Sequence, residues 1–389
     1  MNCVCNIGQD SSSTMSHDPD LQGDVMVTIE ALRGYVLEEL LARLLFDNGY
    51  RLLVSADQDP DSLKRGAHGL LVRGRGTDHQ ADVLGELALP VPFSLPLRLF
   101  VEAKYRNAKT SLRDVRNAHG VLHDVNEQYV TASAGARRLP IRRYTYQYAL
   151  FSAAGFTWPA QQYALAQQIS LVDLSNPAFS SLLDEADRVA RALHRLATAN
   201  GITNFPRGQV RTAFRLALGT WTADERDDVE FGRAGWVDRA WSASELNPAR
   251  GEVEHLPIDH LSGIFEDLAD LPGGLLLAFP AAPFVLVLFP DSVEAFFAYV
   301  LRHGPDIPVH IEFAERREVV GDWVIVPADG SQEFRLRFAL PALLEDWLLS
   351  DEGAAAMRAR DIKTGLLSSI AVFQRGRVVR LLFQPKHRG

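Results

Sequence analysis

Cysteine is nearly absent from this chain of 389 residues: Cys3 and Cys5 are the only two. That excludes a disulfide-stapled fold, and a lone Cys-x-Cys pair without a second cluster makes no structural zinc site. Both thiols lie in a polar stretch, IGQDSSSTMSHDPD, so residues 1–27 read as an unfolded tail. Long apolar runs are missing too. None approaches the roughly 20 residues that a membrane helix needs, and the basic-then-apolar order of a signal peptide is lacking. A cytoplasmic protein with no membrane partner is therefore expected. No G-x-x-x-x-G-K loop occurs, which argues against nucleotide hydrolysis, and no Ser or Cys sits in a nucleophile elbow. An overall positive charge is also lacking: the net charge of −9 argues against a protein that coats nucleic acid indiscriminately.

What is present is an ordinary globular composition, 47% hydrophobic and 23% charged, in a chain long enough for two or three domains. Residues 28–46 read as a helix with Val36, Leu37, Leu40, Leu41, Leu44 and Leu45 on one face. Glu39 and Arg43 are expected opposite, as an exposed pair, while Glu38 falls at the edge of the apolar stripe. Asn48-Gly49 ends this helix. Strands are expected near 67–73, 80–88 and 97–105, a helix over 111–129, and a strand in YTYQYALFSAA. A short helix over 157–167 and the strand ISLVDL follow. This order predicts a mixed α/β sheet with a crossover helix over residues 28–176.

SNPAFSSLLDEADRVARALHRLATANG begins a long helical stretch, and with a helix near 207–218 and a poorly periodic stretch over 220–256 it makes 177–256 a connector. Trp221, Trp236 and Trp241 in that stretch read as core or interface residues, and Asp224, Glu225, Asp227 and Asp228 as a solvated face. Residues 257–389 alternate again, with helices at 258–268, 291–303 and 339–349. Strands near 273–279, 283–289, 308–314, 318–326 and 332–338 and a final hairpin near 367–383 make it an α+β domain.

Chemistry concentrates in HQADVLGELALPVPFSLPLRLFVEAKY, residues 79–105. In a strand, Arg98, Phe100, Glu102 and Lys104 share one face, and Leu97, Leu99, Val101 and Ala103 form a core face on the other. If DVLGEL is the antiparallel neighbour, Asp82 lies across from Glu102 and Lys104. Two carboxylates that close repel unless a cation intervenes, and hard oxygen ligands suit Mg²⁺. Such a cation polarises a phosphoryl oxygen and activates water, with the lysine placed to orient or deprotonate it. Local charge agrees. Residues 98–143 hold ten Lys or Arg against four acids, and the last nineteen residues hold five and none. Both patches can meet phosphate. His79 and His119 read as satisfied or exposed histidines.

The surroundings of this triplet resemble the PD-(D/E)xK nuclease superfamily, in particular its Mrr-like restriction endonuclease branch. GYVLEELLARLLFDNGY is similar to that family's opening helix, HQADVLGEL to its aspartate strand, and RLFVEAKYR to its E-x-K strand. VRNAHGVLHDV resembles the next helix, and YALFSAAGFTWPAQQYALAQQISLVDLS the closing strand, helix and strand. The resemblance covers residues 30–175, and Ala81 stands where the superfamily's name has proline.

It implies a restriction-endonuclease-like sheet in which Asp82 and Glu102 bind Mg²⁺, with Mn²⁺ able to substitute. Lys104 would serve the attacking water, and Glu38 would support the metal site. Gln80, on the face of Asp82, is a further candidate for the metal's water shell or the substrate. Arg106, Lys109, Arg113 and Arg116 would grip phosphates of DNA.

The expected function is a DNA endonuclease of restriction or antiphage defence. The C-terminal domain would serve recognition, sensing or binding of a regulatory protein, and a homodimer would suit two-strand cleavage. A catalytically silent or partner-activated nucleic-acid-binding subunit and a junction resolvase are the alternatives.

Overall fold

The computed structural model describes residues 27–66, 69–87, 94–127, 131–134, 137–140, 143–220, 255–265, 274–282, 284–313, 323–374 and 377–386. The tail with Cys3 and Cys5, most of the connection ALPVPFSLP, and the stretch with Trp221, Trp236, Trp241 and its acidic run lie outside the described residues.

The chain begins with α1 (Ile29–Asp47), β1 (Tyr50–Leu52), β2 (Leu63–Arg65), β3 (Leu70–Arg73), β4 (Asp78–Gln80), β5 (Val83–Leu87), β6 (Leu97–Lys104) and α2 (Leu112–Asn126). It continues with β7 (Thr131–Ala134), β8 (Arg137–Pro140), β9 (Thr145–Ser152), α3 (Trp158–Ala166) and β10 (Ser170–Asp173). Next come α4 (Ser180–Ala199), α5 (Arg207–Ala217) and α6 (Ile258–Phe265). The last part runs β11 (Leu276–Pro280), β12 (Leu286–Pro290), α7 (Val293–His303), β13 (Asp306–Phe313), β14 (Trp323–Pro327) and β15 (Leu336–Phe338). It ends with α8 (Ala342–Leu349), α9 (Ala355–Asp361), β16 (Ser369–Gln374) and β17 (Arg377–Phe383).

The central sheet has the order β1-β5-β6-β9-β10. β1, β5 and β6 pair antiparallel, whereas β6-β9 and β9-β10 pair parallel, with α2 and α3 as the crossovers. The fold is thus a mixed α/β sheet flanked by helices. On one side, Leu99 and Val101 of β6 pack with α1, α4, α5 and α6 in one apolar cluster. On the other, Phe100 packs with Val115 and Ala118 of α2 and Ala160 of α3. Both faces of β6 are therefore core, where alternation alone had assigned one; residues with three-layer packing lose the polar-out signal.

Two charged residues expected at the surface are buried by distant parts of the chain. Glu39 is not exposed opposite Arg43 but 3% exposed, because α4 and α5 cover the outer face of α1. Its carboxylate accepts from Arg211 at 2.8 Å and Arg215 at 3.4 Å, and Arg43 turns to Asp47 instead. Arg98 does not belong to a phosphate-facing patch. It is fully buried, bonded to Asp59 (2.6 Å), Glu86 (3.0 Å) and the Tyr146 hydroxyl (3.1 Å), with the Tyr144 ring 3.2 Å from its guanidinium carbon.

Sequence periodicity did not separate β2, β3 and β4, which form a small antiparallel sheet of their own, nor the β7-β8 hairpin. In the last part of the chain, the strands expected of an α+β domain close into a barrel, β11-β12-β15-β14-β13-β17-β16. The one parallel pairing, β13 with β17, completes the ring, and closure leaves no free strand edge. The interior is apolar, with Trp323, Leu336, Phe338, Ile370 and Leu381 at 0% exposure. α1 and the barrel meet at Asn48, which is fully buried: its Nδ2 donates to Leu44 O and its Oδ1 accepts from Leu277 N, both at 2.7 Å. Gly49, at φ 82°, then reverses the chain into β1. No helix among the described residues is long and apolar enough to cross a membrane.

Candidate active site

The site forms where β5 and β6 diverge. Their register pairs Val83 with Val101, so the next step places Asp82 opposite Glu102. Asp82 Oδ2 accepts from the Ala103 backbone N–H at 2.8 Å, which fixes the carboxylate against β6. Among the described residues its other oxygen accepts from no hydrogen-bond donor. Glu102 stands two residues after Phe100 on the α2 side of the sheet. Its Oε1 is ion-paired with the Lys104 ammonium, and its Oε2 accepts from the Tyr148 hydroxyl at 2.6 Å.

Tyr148 is 2% exposed and stacks on Phe100, ring centroids 4.9 Å apart. Sequence reading passed over this residue, although alternation in YTYQY puts Tyr144, Tyr146 and Tyr148 on one face. Burial, with the negative charge of Glu102 added, pushes the Tyr148 phenol far above its ordinary range, so it stays a donor.

Glu38 approaches from α1. It lines a depression together with Gln80, Asp82, Arg211 and Arg215. Burial first, and then the charge of Asp82, pushes the Glu38 carboxyl up to about 8. Asp82 is likewise raised, by burial and then by Glu102, against the pull of the Ala103 N–H and Lys104. Carboxylates in one another's field destabilise each other in the free protein.

Gln80 and Asp82 also line a second cleft of about 450 Å³, on the α2 side, with Glu102, Tyr148, His79 and Arg116. The corner Gln80-Ala81-Asp82, where β4 passes into β5, is therefore the ridge between the two depressions. A clasp from α2 sets that corner. Asp124 accepts from Gly76 N (2.8 Å), Thr77 N (3.2 Å) and His79 Nε2 (2.8 Å). A side chain on Gly74 would run into the same carboxylate, so the tight turn before β4 requires glycine there. His79 is thus a bonded structural group, and His119 has a partner in the Tyr163 hydroxyl at 2.9 Å.

The structure brings Asp82, Glu102, Lys104, Glu38 and Gln80 to one end of the sheet. The basic residues after β6 are more scattered. Arg116 lines the larger cleft and lies over the Tyr163 ring at 5.7 Å. Lys109 and Arg113 are exposed, and Arg106, also exposed, is tied to Asp114 at 2.6 Å. In the C-terminal patch, Arg380 pairs with Asp306 and Lys386 with Glu312, each at 2.6 Å.

Among the described residues no three His, Cys, Asp or Glu side chains converge as a ready-made metal cage. A cation bound here would draw on Asp82 and Glu102 and complete its shell with water and phosphate. An all-oxygen donor set of that size fits Mg²⁺. What sequence reading did not find is Arg211, which reaches the depression from α5. Its Nη2 is 3.7 Å from Glu38 and its guanidinium lies 5.2 Å from the Tyr35 ring centre.

No protein-family model matches the sequence, and no curated protein matches it. Two solved structures are similar to it. One is AF1548, a protein of unknown function, with 16% identity over 54% of this chain and 97% of that one, at a TM-score of 0.27. The other is MspJI restriction endonuclease in complex with a 27-mer oligonucleotide, with 14% identity and a TM-score of 0.23. It covers 66% of this chain, which spans 43% of the length of that one. Likenesses at these scores say nothing of activity, and what the site does rests on its own residues.

Proposed function

We propose that the chain is a Mg²⁺-dependent endonuclease that hydrolyses phosphodiester bonds of DNA. The single observation that carries this reading is the meeting of Asp82, Glu102 and Lys104 where β5 and β6 part, at the wall of an open cleft. A role in restriction or defence is carried only by the family resemblance of residues 30–175.

Asp82 and Glu102 would hold the cation, Mn²⁺ serving in place of Mg²⁺. When bound, the cation supplies charge that stabilises the phosphoryl oxygens and acidifies the attacking water. The remaining work falls to the chain. The Ala103 N–H and the Tyr148 hydroxyl orient one oxygen each of Asp82 and Glu102. Lys104, held by Glu102 in the free protein, orients the attacking water through its Nζ. Glu38 supports the same carboxylates from α1, and Gln80 offers an amide to the water shell or a phosphate oxygen. Arg116, with Lys109 and Arg113 further out, binds flanking phosphates and so positions the duplex without reading its sequence.

The test is nicking and linearisation of plasmid DNA with Mg²⁺ by the wild type, Glu102→Ala and Lys104→Ala. Each substitution is expected to lower the cleavage rate about 100-fold or more. A wild-type chain that stays inert across substrates, metals and salt returns the protein to the silent, partner-activated reading.

A further inference from the structure

The nuclease reading uses α1 and the central sheet, but the depression beside Asp82 has a wall that neither supplies. That wall is α5. Arg207, Arg211 and Arg215 recur every fourth residue along it and so form one stripe on the helix. Arg211 and Arg215 of the stripe face the middle of α1, where the carboxylates are those of Glu38 and Glu39.

The pairing is incomplete in a specific way. Glu39 accepts from the Nε of both Arg211 and Arg215. One buried carboxylate is thus shared by two guanidiniums. Glu38 stands 3.7 Å from Arg211 Nη2, too far for a hydrogen bond. Arg207 is exposed, and among the described residues its guanidinium makes no ion pair. Three cations therefore answer two carboxylates, and a guanidinium offers five N–H donors of which Arg211 spends only the Nε on a hydrogen bond to Glu39.

Position decides what this surplus meets. Arg211 and Arg215 line the same depression as Asp82 and Gln80, and that ridge also walls the larger cleft holding Glu102 and Arg116. A nucleic-acid strand with one phosphate at Asp82 and Glu102 continues on either side, with the next charge a few ångströms along the duplex. On the α2 side it meets Arg116. On the other it meets α5.

We propose that the α5 arginine stripe, with Arg211 and Arg215 lining the depression beside Asp82 and Arg207 one turn further along the helix, is a second phosphate-binding surface, which grips the nucleic-acid backbone on the side of the scissile position away from α2. The residues after the central sheet then complete the substrate site. The proposal rests on the nuclease reading and deepens it, since it names the wall opposite α2 and the ligand group, a backbone phosphate.

The test is binding of a short fluorescein-labelled duplex, followed by anisotropy across a salt series without divalent metal, so that no cleavage intervenes. Arg207→Ala removes no ion pair and leaves the backbone carbonyl that accepts from the Tyr35 hydroxyl in place. Arg211→Gln leaves Glu39 with Arg215 as its remaining partner, and Arg211→Lys restores the charge. Arg207→Ala and Arg211→Gln are each expected to weaken binding about 3- to 10-fold near physiological salt. Each should also lower the slope of log affinity against log salt by about 1, with partial recovery in Arg211→Lys.

Unchanged affinity and slope in both variants overturn the proposal while wild-type binding and Glu102-dependent cleavage keep the nuclease reading. So does an effect confined to Arg211→Gln with a lowered melting temperature, which marks Arg211 as a packing residue. A wild type that neither binds nor cleaves any duplex removes the nuclease reading, and the proposal with it.

Discussion

The central sheet and the barrel use the same material, short apolar strands, to opposite ends. The sheet stays open, and Asp82, Glu102 and Tyr148 line a cleft beside it, with Lys104 ion-paired to Glu102 at the end of β6. The barrel closes on itself, keeps Trp323, Phe338 and Leu381 inside, and settles its charges outside as pairs such as Arg380 with Asp306. In the barrel, charge is neutralised by its neighbour. In the sheet, burial raises both Glu38 and Asp82, with the charge of Asp82 added at Glu38 and that of Glu102 at Asp82. The sheet half pairs charges too, as at Arg98 with Asp59 and Glu86, but beside its cleft it leaves carboxylates crowded.

Trp323→Ala empties a fully buried site and is expected to lower the unfolding free energy by about 3–5 kcal/mol, read by chemical denaturation. Cleavage per folded molecule should stay within about 2-fold of wild type, since no residue of the barrel lines either depression beside the carboxylates. A rate loss beyond the folded fraction would bring the barrel into the chemistry.

Tyr148→Phe is the converse. It keeps the ring on Phe100 and removes only the hydroxyl that Glu102 accepts from. Affinity for Mn²⁺, measured from the free-ion paramagnetic resonance signal, is expected to fall about 10- to 100-fold, or about 1.4–2.7 kcal/mol, with the melting temperature little moved. Unaltered Mn²⁺ affinity would mean that the phenol does not set the Glu102 carboxylate.

The smallest effect concerns acid. Burial raises the Asp114 carboxyl, but hydrogen bonds from Arg106 and Ser111 outweigh it and hold the group at about 2. A depressed carboxyl stabilises fully above its unfolded value near 3.8 and loses that contribution as pH falls through about 2. Asp114→Asn should therefore cost about 1 kcal/mol at neutral pH after allowance for solvent screening. The gap from wild type should narrow as pH falls below about 3.8 and close only below pH 2 in denaturation curves taken across that range.

Much of the sheet is legible in the sequence because its signals are local. The apolar stripe of α1, the Asn48-Gly49 stop and the two-residue spacing of Glu102 and Lys104 need only neighbouring residues to be recognised. What escaped is set by distant partners. Glu39 looks exposed until Arg211, 172 positions away, is folded onto it. Arg98 looks like part of a basic patch until Asp59 and Glu86 enclose it. Barrel closure depends on β13 meeting β17, with Asp306 opposite Arg380, a pairing that no periodicity announces. Tyr148 was within reach, since the same alternation that faced Glu102 towards α2 applies to its own strand.

Asn48 also bears on how this protein is made. Synthesis lays down α1 early, but the amide at its end receives the Leu277 N–H only after another 229 residues have been joined. Until α4, α5 and α6 exist, the outer stripe of α1 remains in water. The helix that carries Glu38 is thus finished late in translation, and whatever the cleft does begins only once most of the chain has left the ribosome.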